Sequence, residues 1–141
     1  MGRRESRESA FKILYQADIQ KCKAQELIDS FFEQNTVAEN DMEYIKAIVF
    51  GVDENIETID EILSKSLKSW TLNRISKIDK AALRLALCEI MYKDDVPDSI
   101  AIYEAVELVK KYNTESAGGF VNGTLRAIVR KKDSDGEKSE E

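Results

Sequence analysis

Apolar positions recur along this chain at three- and four-residue spacing, the period of a helix rather than the alternation of a strand. The pattern is densest from Arg74 to Tyr92, RISKIDKAALRLALCEIMY. This stretch holds neither Gly nor Pro and is rich in Ala and Leu, which favour helix. Wound on a helix, its apolar residues cover most of the circumference. One cationic stripe is left, at Lys77, Lys80 and Arg84. A helix apolar nearly all round is covered by neighbours on several sides, so the stretch predicts the hub of an all-α domain. It is too short and too charged to span a bilayer.

The remaining segments read as helices arranged around that hub. Residues 3–20 predict a helix with Ala10, Leu14 and Ala17 in one row and Phe11 and Tyr15 beside it. Residues 25–34 predict a short second helix with Leu27, Ile28, Phe31 and Phe32 on one face. From Asp41 an unbroken seam runs through Ile45, Val49, Val52, Ile56, Ile59 and Leu63. Gly51 lies within it, at a kink or a break between two helices. Trp70 is expected to be a packing anchor leading into the hub. At DDVPDS, Pro97 disfavours helix at Val96, and Asp98 or Ser99 can cap the next helix, residues 99–112. Asn113 to Gly119 reads as a polar loop, and a last helix starting near Gly119 packs Val121, Leu125 and Ile128. After Arg130 no apolar residue remains, so the folded domain is expected over 1–130 and a disordered acidic tail over 131–141.

Composition narrows the function. The 141 residues suit one domain, and the net charge of −6 argues against nucleic-acid binding by the whole surface but not by a local basic patch. Cys22 and Cys88 are isolated, which offers neither metal-ligand spacing nor a disulfide framework. The charged start, MGRRESRESA, lacks an apolar signal core, so a reducing cytoplasm is the expected location. Histidine is absent, and with it the commonest general base and zinc ligand. There is no phosphate-binding glycine loop followed by Lys and no dinucleotide fingerprint. No catalysis, cofactor or metal is expected.

Two clusters remain as candidate chemistry. Arg3, Arg4 and Arg7 stand at the start of the first helix, where cations oppose the macrodipole. Arg4 can pair with Glu8 four residues on, which leaves Arg3 and Arg7 freer. A solvated terminus and an anion site both fit. The second cluster is Gly118 and Gly119 followed by Phe120. Two glycines before a helix offer unsatisfied N–H groups to a phosphate. Phe120 either closes the core or presents a ring to an unstacked base. Lys110 and Lys111 are explained by the dipole at a helix end.

Three segments in order, RRESRESAFKILYQ, the hub with DVPDSIAIYEAVELVKKY, and FVNGTLRAI, resemble the NusB family of bacterial transcription antitermination factors. The resemblance spans nearly the whole folded region. It implies an all-α fold of about seven helices in two small bundles around the central apolar helix. It implies binding of the boxA element of ribosomal-RNA leader transcripts as a heterodimer with NusE, a small ribosomal protein. The pair would join elongating RNA polymerase with other Nus factors, without catalysis. By position, Arg3, Arg4 and Arg7 match the RNA-contacting start, and Ser116, Gly118, Gly119 and Phe120 match a second RNA-contacting segment. Tyr15 and Asp79 fall where family members meet NusE. Two departures stand out. Tyr103 replaces a common Asn, read here as a packing difference, and Gly119 replaces a usual Lys, which removes one expected RNA contact. The rival readings are a protein–protein adaptor without RNA binding and an accessory domain for an rRNA methyltransferase with a separate catalytic subunit.

Overall fold

Seven α-helices and two short 3-10 turns make up residues 3–67 and 71–140, the part of the chain described by the computed structural model. The helices are α1 (Arg3–Gln20), α2 (Ile28–Gln34), α3 (Glu39–Glu54), α4 (Ile56–Ser66), α5 (Lys77–Tyr92), α6 (Asp98–Tyr112) and α7 (Glu115–Glu140). Ala24–Leu27 and Leu72–Arg74 form the 3-10 turns, and no strand occurs among the described residues. Trp70, expected to be an anchor, lies outside the described residues.

The hub is α5. It begins at Lys77 rather than at Arg74, because Ser76 caps it: the Ser76 hydroxyl accepts from the Asp79 N–H at 3.0 Å. α5 packs against α1, α3, α4, α6 and α7. On one side lie α1, α2 and α3, and on the other α4, α6 and α7, so two small bundles share one central helix. From Asp79 to Ile90 only Arg84 escapes full burial.

Of the cationic stripe of α5, only Lys77 at its start therefore remains exposed. Asp18 of α1 reaches over the stripe, 3.3 Å from Lys77, 3.4 Å from Lys80 and 3.8 Å from Arg84. Arg84 also grips Asp60 of α4 in a fork, Nε at 2.9 Å and Nη2 at 2.8 Å. Burial alone would raise the Asp18 carboxyl, but Lys80, Arg84 and Lys77 outweigh it and hold it below the ordinary carboxylate range.

The long seam divides four residues after Gly51. Asn55 sits between α3 and α4, and its side-chain amide donates to the Gly51 carbonyl at 2.8 Å. Ile45, Val49, Val52, Ile59 and Leu63 are each 1% exposed or less. Gly51 itself stays helical, and its role is close approach. A Cβ there would lie 2.9 Å from Cys88 Sγ on the buried face of α5.

The bounds of the last two helices differ from the sequence reading. α6 starts at Asp98, with Pro97 as its cap residue, so neither Asp98 nor Ser99 caps it. α7 starts at Glu115, not near Gly119, because the Thr114 hydroxyl accepts from the Ala117 N–H at 3.1 Å. The same helix continues past Arg130 to Glu140, where the composition led us to expect disorder. Lys132 ties it back to Asp98 at 2.9 Å. A lack of apolar residues limits what a segment can bury, but does not stop its backbone from winding.

Gly51→Ala is expected to lower the melting temperature. The helix gains about 1 kcal/mol from Ala, but overpacking against Cys88 costs about 1–3 kcal/mol. With Cys88→Ala already in place the same substitution should raise the melting temperature, a sign reversal that a double-mutant cycle reads directly. A second test concerns acid. The stabilisation Asp18 provides is complete above the ordinary aspartate value, about 3.9, and is lost as pH falls through its depressed folded value. Asp18→Asn should therefore destabilise the protein at pH 7 and much less near pH 2, measured by urea unfolding.

Candidate nucleic-acid interface

The three N-terminal arginines meet different fates because α1 is amphipathic. Arg3 is exposed, and its guanidinium carbon lies 4.4 Å from the ring centre of Tyr44 on α3. Arg4 keeps 65% of its side chain exposed, while its Nε donates to both carboxylate oxygens of Glu104 on α6 at 3.1 Å. The pairing of Arg4 with Glu8 that sequence spacing suggested does not form. Glu8 instead accepts from Lys111 Nζ at 2.8 Å and from the Tyr112 hydroxyl. Burial would raise the Glu8 carboxyl, but Lys111 and Tyr112 pull it below the ordinary range.

Arg7 is the correction. It was expected to be among the freer cations, yet it is only 5% exposed. Its Nε donates to the fully buried Glu89 carboxylate at 2.9 and 3.1 Å, and its Nη1 lies 3.9 Å from Glu104. Burial disfavours the Arg7 charge, but Glu89 more than compensates, so the guanidinium stays protonated. The signal was present in the chain. Arg7 stands three residues before Ala10, at the head of the row Ala10, Leu14, Ala17 that faces the core. What spacing could not supply was the partner, a Glu near the C-terminal end of the hub helix, 82 residues further along the chain.

Arg4, Arg7, Glu8, Glu104, Glu107, Leu108 and Lys111 line a cleft of about 250 Å³ between α1 and α6. Glu104 and Glu89 were not anticipated. Tyr103, read from the sequence as a packing difference, is 52% exposed. It belongs to neither apolar row of α6, which is the sequence signal for exposure.

The second segment is helical, not a loop. Ser116 and Gly119 are exposed, Phe120 is half-buried against the core, and Gly118 is buried. In a helix starting at Glu115, the N–H groups of Gly118 and Gly119 bond to carbonyls four residues back, so they are not free for a phosphate. Gly118 serves packing. A Cβ there would meet Lys110 at 3.0 Å and Val106 at 3.4 Å, so the glycine lets α7 lie close on α6. At Gly119 a Cβ would meet nothing within 4 Å. α7 runs back along α6, with Gly118 facing Val106 and Lys110 and Lys132 reaching Asp98, so Phe120 lies on the helix packed against the one that carries Glu104 beside Arg4.

Tyr15 and Asp79 lie on α1 and α5. Tyr15 stacks on Phe11 with ring centres 6.4 Å apart and stays partly exposed. Asp79 is 7% exposed, and its carboxylate accepts from Asn113 Nδ2 at 3.1 Å. Burial raises the Asp79 carboxyl pKa, with Asn113 and Ser76 pulling the other way. No group of side chains able to hold a metal occurs among the described residues.

Residues 4–130 match the model of the NusB family. The transcription antitermination protein NusB of Ruminiclostridium cellulolyticum is 50% identical over 130 residues, 92% of this chain and 90% of that protein. A solved T. maritima NusB superposes with a TM-score of 0.87 at 34% identity, covering 92% of both chains. A crystal structure of the antitermination factors NusB and NusE in complex with dsRNA contains a chain with a TM-score of 0.83 and 34% identity, covering 91% of this chain and 96% of that one.

The two arginine environments separate by substitution. Arg7→Ala leaves Glu89 as an unpaired buried charge and should destabilise the fold by about 3–5 kcal/mol. Arg3→Ala, at an exposed site, should change stability by no more than about 0.5 kcal/mol. Equal losses in chemical denaturation would refute the distinction.

Proposed function

The chain belongs to the NusB family of transcription antitermination factors, which are not enzymes, and from that premise we propose that it binds boxA-type single-stranded RNA of ribosomal-RNA leader transcripts together with NusE. The pair would then join the elongating RNA polymerase with other Nus factors in the cytoplasm. No described helix is long and apolar enough to cross a membrane. The observation that carries the RNA reading is the retention of two exposed arginines, Arg3 and Arg4, at the start of α1, each held at one edge by Tyr44 or Glu104. Held cations lose less freedom when a phosphate arrives. The similar chain solved with NusE and dsRNA supports the same partner classes.

Binding is divided among unlike groups. Arg3 and Arg4 attract phosphates without reading sequence. Phe120 offers the exposed part of its ring to a base, with Ser116 beside it on the first turn of α7. The open space at Gly119 lets a strand approach the helix, though the chain there supplies no cation. Arg7 is not a phosphate contact in this scheme. It holds Glu89, and so keeps α1 and α5 in register. Gly118 likewise acts only through packing. Tyr15 and Asp79 are assigned to the NusE side, with Asp79 acting as an ordered acceptor rather than a free charge. With so few phosphate contacts RNA affinity alone is modest, and NusE raises it through linkage.

The test is binding of the purified protein to labelled boxA-type RNA, a scrambled strand and a duplex, each with and without NusE. Tighter binding of the boxA strand when NusE is present is the expected result. Without NusE, two phosphate contacts give a slope of log affinity against log salt of about −1.4. Phe120→Leu, which keeps most of the packing volume, should weaken RNA binding about tenfold by losing a stacking ring. Equal, weak binding to all three RNAs under every condition would leave only the adaptor role.

A further inference from the structure

Among the described residues Tyr103 is the most exposed of the large apolar side chains, at 52%, and Ile100, one turn earlier on α6, is 45% exposed. Tyr103 immediately precedes Glu104 on α6, and the Glu104 carboxylate accepts from Arg4 Nε at 3.1 Å. A planar ring, an exposed cation and a neutralised acid therefore share one small surface at the mouth of the α1–α6 cleft. Glu104 does not turn this surface negative, because Arg4 and Arg7 both lie within ion-pair distance of it.

We propose that Tyr103 is a base-stacking residue, which together with Arg4 extends the RNA interface from the start of α1 onto α6. The proposal rests on the RNA-binding reading above and adds a contact to it. An exposed ring beside a guanidinium takes the π-face of any unpaired base while the cation meets the adjoining phosphate. The patch of two apolar side chains is small for a protein interface, which usually engages about 20–30 residues a side. One base covers a single ring. The ring is also rigid and already in place, so little side-chain freedom is lost on stacking.

The experiment compares Tyr103→Ala and Tyr103→Phe with the unaltered protein, using labelled boxA-type single-stranded RNA with and without NusE. Tyr103→Ala should weaken RNA binding roughly tenfold, both alone and with NusE. The salt slope should not change, because no phosphate contact is lost. Tyr103→Phe should bind nearly as the unaltered protein does. Thermal melting of both variants should match the parent, since the side chain is half exposed. Parental affinity in Tyr103→Ala would overturn the proposal while leaving the RNA reading intact. Loss of only the NusE-dependent gain would also overturn it and assign the surface to a protein. If the unaltered protein itself binds no RNA, the underlying reading fails.

Discussion

Helix α5 can be enclosed on every side because its charges meet opposite charges brought by other helices. An unpaired ion taken from water into a helical core is far more costly than the apolar contacts around it can offset. Glu89 is fully buried and is met by Arg7 from α1. Lys80, at 7% exposure, is met by Asp18, and Arg84 by Asp18 and Asp60. These pairs contribute less through their own attraction than through what their loss would leave behind. They also fix geometry. Arg7 with Glu89 and Asp18 with Lys80 lie about three turns apart on α1, so the helix is held against α5 near both ends.

That enclosure decides which cations remain for a ligand. An arginine on the inward row of α1 is drawn to Glu89, while its neighbours one turn earlier stay at the rim. Even at the rim the cations are not loose. Tyr44 lies under Arg3 and Glu104 beside Arg4, so the proposed binding surface of few charges would be preorganised by groups that themselves belong to the packed helices. The three-arginine cluster seen in the chain thus becomes two outward cations and one internal strut.

Glycines mark the other constraint, which is helix approach. Gly51 faces Cys88 of α5, and Gly118 faces Lys110 and Val106 of α6. Both sit inside helices, where a glycine weakens the backbone by roughly 1 kcal/mol against alanine. The close contact explains each one. Sequence reading gave both glycines a backbone role, a break in one case and a loop in the other, because glycine is the common punctuation of local structure. Only the facing helix shows that the missing side chain is what matters.

The chain's own pattern determined the helical class, the place of the hub, the apolar rows of α1 and α6, and the core seam of α3 and α4, whose residues other than Ile56 are among the most buried. These follow from spacing, which is a local property and survives without knowledge of partners. The exposure of Tyr103 was available in the same way, from its position off both rows of α6. The order of the three motifs also carried the family, since it is written in the chain itself. Spacing could not tell that Arg7 is internal, that Arg4 turns to Glu104 rather than Glu8, or that most of the α5 stripe is covered. Each of these depends on a residue 24 to 100 positions away. A charge is free or paired according to what the fold brings within a few ångströms, and that is decided only when the helices pack.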